Sequence, residues 1–361
     1  MRGGMDALRE RVADTLLPPV VALLVALVAG DVLILSVGQS PAEVYALLLR
    51  GTWGNAYGFG QVLYKTTTLI CTGLCVSVGL RAGLFNIGGE GQLAAGGFAA
   101  ALAGLALPAS TPAPLGILVC TAAAVIAGGI TGWVPGVLRA RFGAHEVITT
   151  IMLNFIILAL LNWAISSADG GALRVPETLH TRAIRAGALP RFGDLIPAFH
   201  GSAANLSLLI ALIAAAAAWW YFFRTRAGYD LRAVGLQPDA AEYGGVNVGA
   251  VWVRAMTISA ALAGLGGINF VLGYKHYYED GFATGAGFLG IAVALVGRNT
   301  PLGVGLASLF FATLSQGGLA INALVPKTMV DVLQGVVILA VAASAPEVRR
   351  VLRRRKRIAT A

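Results

Sequence analysis

Side chains that could bind a small polar solute are concentrated in a glycine-rich stretch, Leu80–Gly97, between two apolar segments. It reads LRAGLFNIGGEGQLAAGG and places Phe85, Asn86, Glu90 and Gln92 among glycines. Glycine lets the backbone leave regular helix, and a carboxylate beside a membrane helix is costly unless it is paired, hydrated or near a helix N-terminus. We therefore predict a helix break that lines a solute path. The alternative is that Glu90 only caps the third apolar helix.

A second polar set lies on one face of a helix predicted within Phe142–Asn162. Because an α-helix has about 3.6 residues per turn, Thr150, Asn154 and Asn162 fall within about a third of its circumference. Such a face suits a path for a polar solute. It equally suits hydrogen bonds between helices, and the residues alone do not separate the two interpretations.

Catalytic motifs are missing from the sequence. It contains no GxSxG, no phosphate-binding loop, no GxGxxG after a strand and no HExxH. His145 and Glu146 are adjacent, which is not the spacing of two metal ligands on a helix, and Glu146 is expected to cap a helix start. Cys71, Cys75 and Cys120 lie in apolar stretches and are expected to pack. The sequence predicts a transport subunit with no catalytic residues, no metal and no cofactor.

The elements that position these residues are membrane helices. The chain of 361 residues is 57% hydrophobic and 12% charged, whereas soluble domains have roughly 45–50% and about 25%. Ten segments approach the roughly 20 apolar residues that a span requires, and the eighth is short enough to be broken or re-entrant. They are Leu16–Val37, Val62–Leu80, Gly91–Leu107, Leu115–Leu138, Val147–Ile165, Asn205–Phe223, Ala255–Leu272, Ala286–Gly297, Leu302–Asn322 and Met329–Ala345.

The distribution of charge predicts the orientation. Twenty-six Lys and Arg oppose 17 Asp and Glu, for a net charge of +9, and most basic residues fall in segments that share one side with the termini. The positive-inside rule places both termini in the cytoplasm. We predict a tail at 1–15, a transmembrane domain at 16–345 and a basic tail at 346–361, which is expected to contact anionic lipid and not nucleic acid. Residues 39–61 and 166–204 are predicted as outside loops.

Three further segments stand out. The inside loop Arg224–Arg254 contains a short predicted surface helix, Pro238–Tyr243, which is either a docking element or an ordinary solvated segment. Gly281–Gly303 holds the short eighth segment and is expected to form a second helix break. In the fourth segment Gly128, Gly132 and Gly136 recur every four residues, which predicts a seam of close helix packing.

Four motifs occur in order along the chain: GLRAGLFNIGGEGQLAAGG, HEVITTIMLN, RAVGLQPDAAEYGGVNV and GFLGIAVALVGRNTPLG. With them the chain, over roughly residues 15–345, resembles the permease subunits of bacterial ABC importers of the group that serves branched-chain amino acids and ribose. Within that group it is most similar to the nucleoside and simple-sugar branch. The resemblance implies an all-α polytopic protein of the inner membrane, with about ten transmembrane helices in two inverted halves, as in type II importers.

The resemblance also implies partners and roles. The implied partners are ATP-binding cassette ATPase subunits, an extracytoplasmic substrate-binding protein, and a second permease subunit that is either a copy of this chain or a homologue of it. It makes 224–254 a coupling region that docks on the ATPase. The residues that match this element are Arg232, Leu236, Pro238, Asp239, Ala240, Ala241, Glu242, Tyr243 and Gly245.

The residues leave alternatives open for both the solute and the energy source. A nucleoside fits the mixture of aromatic and amide groups in the predicted path, but a pentose or riboflavin is also compatible. A different class, an ion-coupled secondary transporter, requires titratable groups within the spans, and the candidates are Asp31 and Asp331. Both lie towards the ends of their segments, where hydration explains them at lower cost.

Overall fold

A computed structural model describes residues 24, 27–166, 173–326 and 328–340 of the chain. The predicted tails at 1–15 and 346–361 therefore lie outside the described residues. The chain divides into two compact units, one formed by Met1–Asn55 with Thr313–Ala361 and the other by Ala56–Ala312. In the described part, the regular structure is helical, with only isolated β-bridges outside the helices.

The first unit contains α1 (Leu27–Ser36), α2 (Pro41–Thr52) and α15 (Thr328–Ala340), together with the end of α14. The helices α1 and α2 meet at a bend of 110°. Its apolar core is built by Ile34, Val44, Leu48, Ile321, Val325 and Val330. The prediction of a loop over residues 39–61 is wrong here, because α2 occupies much of it. With only 12 residues, which include Glu43 and Arg50, α2 is too short and too polar to be predicted as a membrane span.

The second unit holds the remaining helices, and α14 continues from it into the first unit. They are α3 (Ala56–Arg81), α4 (Gly89–Ala106), α5 (Ala113–Phe142), α6 (Glu146–Ser166), α7 (Phe192–Leu195), α8 (Ser207–Arg224), α9 (Arg226–Leu236), α10 (Pro238–Tyr243), α11 (Val248–Gly266), α12 (Ile268–Val271), α13 (Ala286–Val296) and α14 (Pro301–Ala320). A 3₁₀ turn at Pro197–Phe199 follows α7.

The predicted membrane architecture is confirmed. Six of the described helices are long and apolar enough to cross a membrane, or seven if the bent pair α1–α2 is one span. Each of the ten predicted segments contains a helix. The helices α4, α13 and α15 are shorter or less apolar than the six that qualify as spans. The eighth segment is indeed short: α13 has 11 residues and begins after Gly285, whose φ of 82° requires glycine.

The predicted glycine seam joins α5 to α11. A Cβ built on Gly128 would lie 2.6 Å from the carbonyl oxygen of Ala260, and one on Gly132 would lie 2.3 Å from that of Met256. A Cβ on Gly136 would lie 3.0 Å from the Cα of Val253. The two helices therefore touch backbone to backbone, which small residues alone permit.

This seam makes a testable prediction within one helix. Gly132→Ala is expected to destabilise the protein by about 1–3 kcal/mol, because its Cβ overlaps Met256 and Ala260. Gly129→Ala is the matched control, since its Cβ would lie 3.5 Å from Thr257 and makes ordinary contact. The readout is the thermal unfolding temperature of the purified protein in detergent. Equal unfolding temperatures for the two variants would contradict the seam.

Candidate functional site

The predicted helix break between α3 and α4 exists, and a pair of buried amides holds it in place. The Asn86 side chain donates to the Oε1 of Gln92 at 3.0 Å, and the Gln92 side chain donates back to the Oδ1 of Asn86 at 3.1 Å. Asn86 also donates to the Ser259 hydroxyl on α11 at 2.8 Å, and that hydroxyl donates to the backbone carbonyl of Cys75. These amides are buried and bonded within the chain, which is the bonding that buried polar groups require.

Two residues of α6 bind the same break through its backbone. Asn154 accepts a hydrogen bond from the Gly91 amide at 2.9 Å and donates to the Ile87 carbonyl at 2.8 Å. The Ile87 amide donates to the Thr150 hydroxyl at 3.3 Å. Gly91 lets α6 approach closely here, because a Cβ would lie 3.0 Å from the Asn154 oxygen and would displace it by a few tenths of an ångström. The polar face of α6 thus makes the interhelical hydrogen bonds that were the alternative to a solute path.

Glu90 caps a helix other than its own. Its Oε1 accepts from the Gly285 amide at 2.6 Å and its Oε2 from the Gly287 amide at 2.8 Å, so the carboxylate sits on the N-terminus of α13. At the N-terminus of α4 the Gly91 amide is bonded instead by Asn154 of α6. The alternative that Glu90 caps the third helix is therefore wrong. A buried carboxylate is stabilised there because it satisfies two amides that lack partners within α13 and faces the positive end of the helix dipole.

Glu90 also lines a cavity of about 300 Å³. Asn162 lines it from α6, and Tyr278, Asp280 and Phe282 line it from the segment between α12 and α13. The Asn162 side chain donates to the Oδ2 of Asp280 at 2.8 Å, which joins the two sides of the cavity. Of the predicted path residues, Glu90 and Asn162 are the two that the structure brings together around a space large enough for a small ligand.

One polar group at this cavity lacks a protein partner. The Tyr278 side chain is buried, yet its hydroxyl has no hydrogen-bond partner among the described residues. Burial raises the pKa of Tyr278 above its ordinary value and the nearby Asp280 raises it further, so the hydroxyl stays protonated and can donate. Its ring packs edge-on against Phe98 and Phe282, at centroid distances of 5.2 and 5.4 Å.

The remaining predicted path residue, Phe85, is partly buried in the break and does not line this cavity. Sequence reasoning missed Tyr278, Asp280 and Phe282 as cavity residues. A signal was present, because the run Tyr277-Tyr278-Glu279-Asp280 directly precedes the glycine-rich segment that was singled out. Among the residues that the structure describes, no cluster of His, Cys, Asp and Glu is arranged to hold a metal ion.

The predicted docking helix is α10, with the bounds that the sequence indicates. Leu236, at the end of α9, is 85% exposed and Tyr243, at the end of α10, is 96% exposed. Large exposed apolar side chains rimmed by polar ones mark surfaces that another protein covers. The other exposed members of the predicted set are Asp239, Ala240, Glu242 and Gly245, and Pro238 is partly buried.

Two members of the docking set face their own chain. Ala241 is buried, and Arg232 donates to the Gly228 carbonyl at 3.3 Å while its guanidinium lies 5.5 Å from the Phe223 ring centre. Arg254 on α11 and Asp230 on α9 form an ion pair at 4.0 Å. This ion pair joins the two helices that precede and follow α10. The exposed surface of α9 and α10 is therefore presented from a framework tied to the spans.

The chain has helices long and apolar enough to cross a membrane, two places where a helix is interrupted, and a polar cavity between these places. Together these features define a multi-pass membrane transport subunit. Residues 58–342 match the family model described as the permease component of the branched-chain amino acid transport system. The chain belongs to this family of permeases, which are membrane subunits of ABC transporters.

Three relatives cover most of the chain. The guanosine ABC transporter permease protein NupP of Bacillus subtilis (strain 168) is 39% identical over 91% of this chain and 93% of its own length. The nucleoside ABC transporter permease protein NupB of Lactococcus lactis subsp. cremoris is 34% identical over 90% of each chain. The glucose ABC transporter permease protein TsgB13 of Haloferax volcanii is 33% identical over 89% of this chain and 85% of its own length. No solved structure matches the chain.

Proposed function

We propose that this permease forms, with a second permease subunit, the path of an ATP-driven importer for nucleosides. The observation that carries the proposal is the 39% identity over 91% of the chain to a protein described as a guanosine permease, joined by a second relative described as a nucleoside permease. The glucose permease among the relatives keeps a simple sugar as the alternative solute. An extracytoplasmic binding protein delivers the solute, and two ATPase subunits drive the cycle.

The cavity beside α13 supports this solute class. A nucleoside offers hydroxyl donors that carboxylates accept and a planar base that packs on aromatic rings. Asp280 supplies a carboxylate oxygen beyond the one that bonds Asn162, Tyr278 supplies a donor, and Phe282 supplies a ring. We propose that the solute contacts these groups while it passes through the permease.

The orientation proposed for the chain places both termini and α9–α10 in the cytoplasm, in line with the positive-inside rule. ATP binding and hydrolysis on the partner subunits shift the population between outward-open and inward-open states, and the α9–α10 surface transmits that shift. We also propose that anionic lipid of the cytoplasmic leaflet attracts the basic tail at 346–361.

The experiment is uptake of labelled guanosine by cells that carry the permease, its ATPase and its binding protein. Unlabelled guanosine is expected to compete, and ribose, glucose and riboflavin are not. Competition by glucose alone would replace the nucleoside with a sugar. Uptake that persists without the ATPase and follows an ion gradient would favour the secondary transporter and would contradict the ATP-driven proposal.

A substitution tests the cavity. Asp280→Asn keeps an oxygen for Asn162 but removes the charge, and it is expected to lower the maximal uptake rate at least about tenfold, as expected for losing a charge-assisted hydrogen bond. The half-saturating guanosine concentration should stay unchanged, because the binding protein captures the solute. Glu279→Asn is the matched control, since the neighbouring carboxylate does not line the cavity. Equal uptake by the two variants would remove Asp280 from the path.

A further inference from the structure

A groove of about 460 Å³ lies between α3, α8 and α14, and its lining is almost entirely apolar. Leu302 on α14 and Leu212 on α8 are 76% and 47% exposed and form part of its wall. The Thr66 hydroxyl in the lining donates to the Val62 carbonyl at 2.8 Å. Apart from this hydroxyl and the indole N–H of Trp219 at one end, the lining side chains offer only apolar contact to whatever occupies the groove.

The groove runs along α8 from near its first residue, Ser207, towards the end that carries Arg224. On α8 it extends from Leu208 to Trp219. At a rise of about 1.5 Å per residue this is roughly 16 Å, about half of the roughly 30 Å hydrocarbon core. Trp219 and Pro301 mark the end of the groove that faces the cytoplasm in the proposed orientation.

Positive charge is concentrated at that end. The Arg224 guanidinium lies 5.8 Å from the ring centre of Trp219, which lines the groove. Arg232 lies 5.5 Å from the Phe223 ring centre, and Arg81 lies 4.7 Å from that of Phe222. Within the described part of the chain, no carboxylate forms an ion pair with any of these three arginines. Stacking on aromatic rings holds the guanidinium groups at the end of α8 without neutralising them.

We propose that the groove binds an anionic glycerophospholipid of the cytoplasmic leaflet. One acyl chain lies along α8 between α3 and α14, and the phosphate is bound by Arg224, with Arg232 and Arg81 adding positive potential. The inference uses the orientation proposed above and is independent of the solute. Apolar contact along roughly 16 Å of the span, with positive charge at the cytoplasmic end that no carboxylate of the described residues pairs, is the complement of such a lipid.

The test is retention of phospholipid by the intact transporter, purified with its ATPase and analysed by native mass spectrometry. The wild type is expected to retain a phospholipid from phosphatidylglycerol nanodiscs. Ala216→Phe fills the groove and should abolish retention, whereas Ala217→Phe, on the same helix and exposed outside the groove, should leave it intact. Gly305→Leu is a second filling variant, because a Cβ there meets no atom within 4 Å.

The headgroup has its own test. Arg224→Gln is expected to weaken phosphatidylglycerol binding about fivefold, or about 1 kcal/mol, with no effect on phosphatidylcholine. Arg141→Gln, an exposed arginine at the same end of α5, is the control. Equal retention by Ala216→Phe, Gly305→Leu and the wild type would overturn the proposal, as would equal binding of the two lipids. Loss of a protein subunit in the filled variants would also overturn it and identify a protein as the occupant.

Discussion

Replacing Glu90 with alanine is expected to abolish uptake and to lower the stability of the permease. The carboxylate is 5% exposed and accepts hydrogen bonds from the amides of Gly285 and Gly287. Alanine leaves both amides without an acceptor, at a cost of about 1–3 kcal/mol each. Because α13 has only 11 residues, the loss of its anionic cap affects a large part of the helix.

The effect should extend to the cavity, because the segment that carries Tyr278 and Asp280 leads directly into α13. The measurements are guanosine uptake, the unfolding temperature and hydrogen exchange of the amides at residues 285–287. We expect faster exchange at those amides in Glu90→Ala. Glu90→Gln keeps one acceptor oxygen and should give an intermediate result. A Glu90→Ala protein with normal exchange but lost uptake would show that Glu90 acts on the solute and not through α13.

The sequence predicts the helical spans well because hydropathy is a local property. The same holds for α10, whose bounds Pro238 and Tyr243 follow from a proline at the first turn and a Gly-Gly pair after the last. The helix α2 escaped the prediction because it is too short and too polar for a search by span length. Its position depends on the apolar core that it shares with residues 321–330.

The candidate site was predictable only in part, because its bonds join distant positions. Glu90 accepts hydrogen bonds from amides that lie 195 and 197 residues further along the chain, and Asn162 donates to Asp280, 118 residues further along. Residue type marked Glu90 and Asn162 as unusual in a membrane, but it did not indicate the amides of α13 or the loop carboxylate as their partners. For Asn86 and Gln92, polarity alone does not distinguish a solute contact from a mutual hydrogen bond.

The α9–α10 surface leads to the other large expected effect. The double variant Leu236→Asp, Tyr243→Ala is expected to weaken binding of the ATPase at least about tenfold, which is about 1.4 kcal/mol, and to reduce uptake to background. Both side chains are almost fully exposed and therefore contribute little to the fold of the isolated subunit. Their removal acts on the partner, because a buried aspartate in an apolar interface costs free energy that the free subunit does not bear.

The measurement is co-purification of the ATPase with tagged permease from membranes, together with uptake. Leu195→Asp is the matched control, since Leu195 is 59% exposed and lies on α7, within the segment predicted to face outside. It should leave ATPase capture unchanged. Ala241→Asp separates docking from folding, because Ala241 is buried against its own chain and should lower the unfolding temperature, which the double variant leaves alone. Normal ATPase capture by the double variant would place the coupling contact elsewhere on the permease.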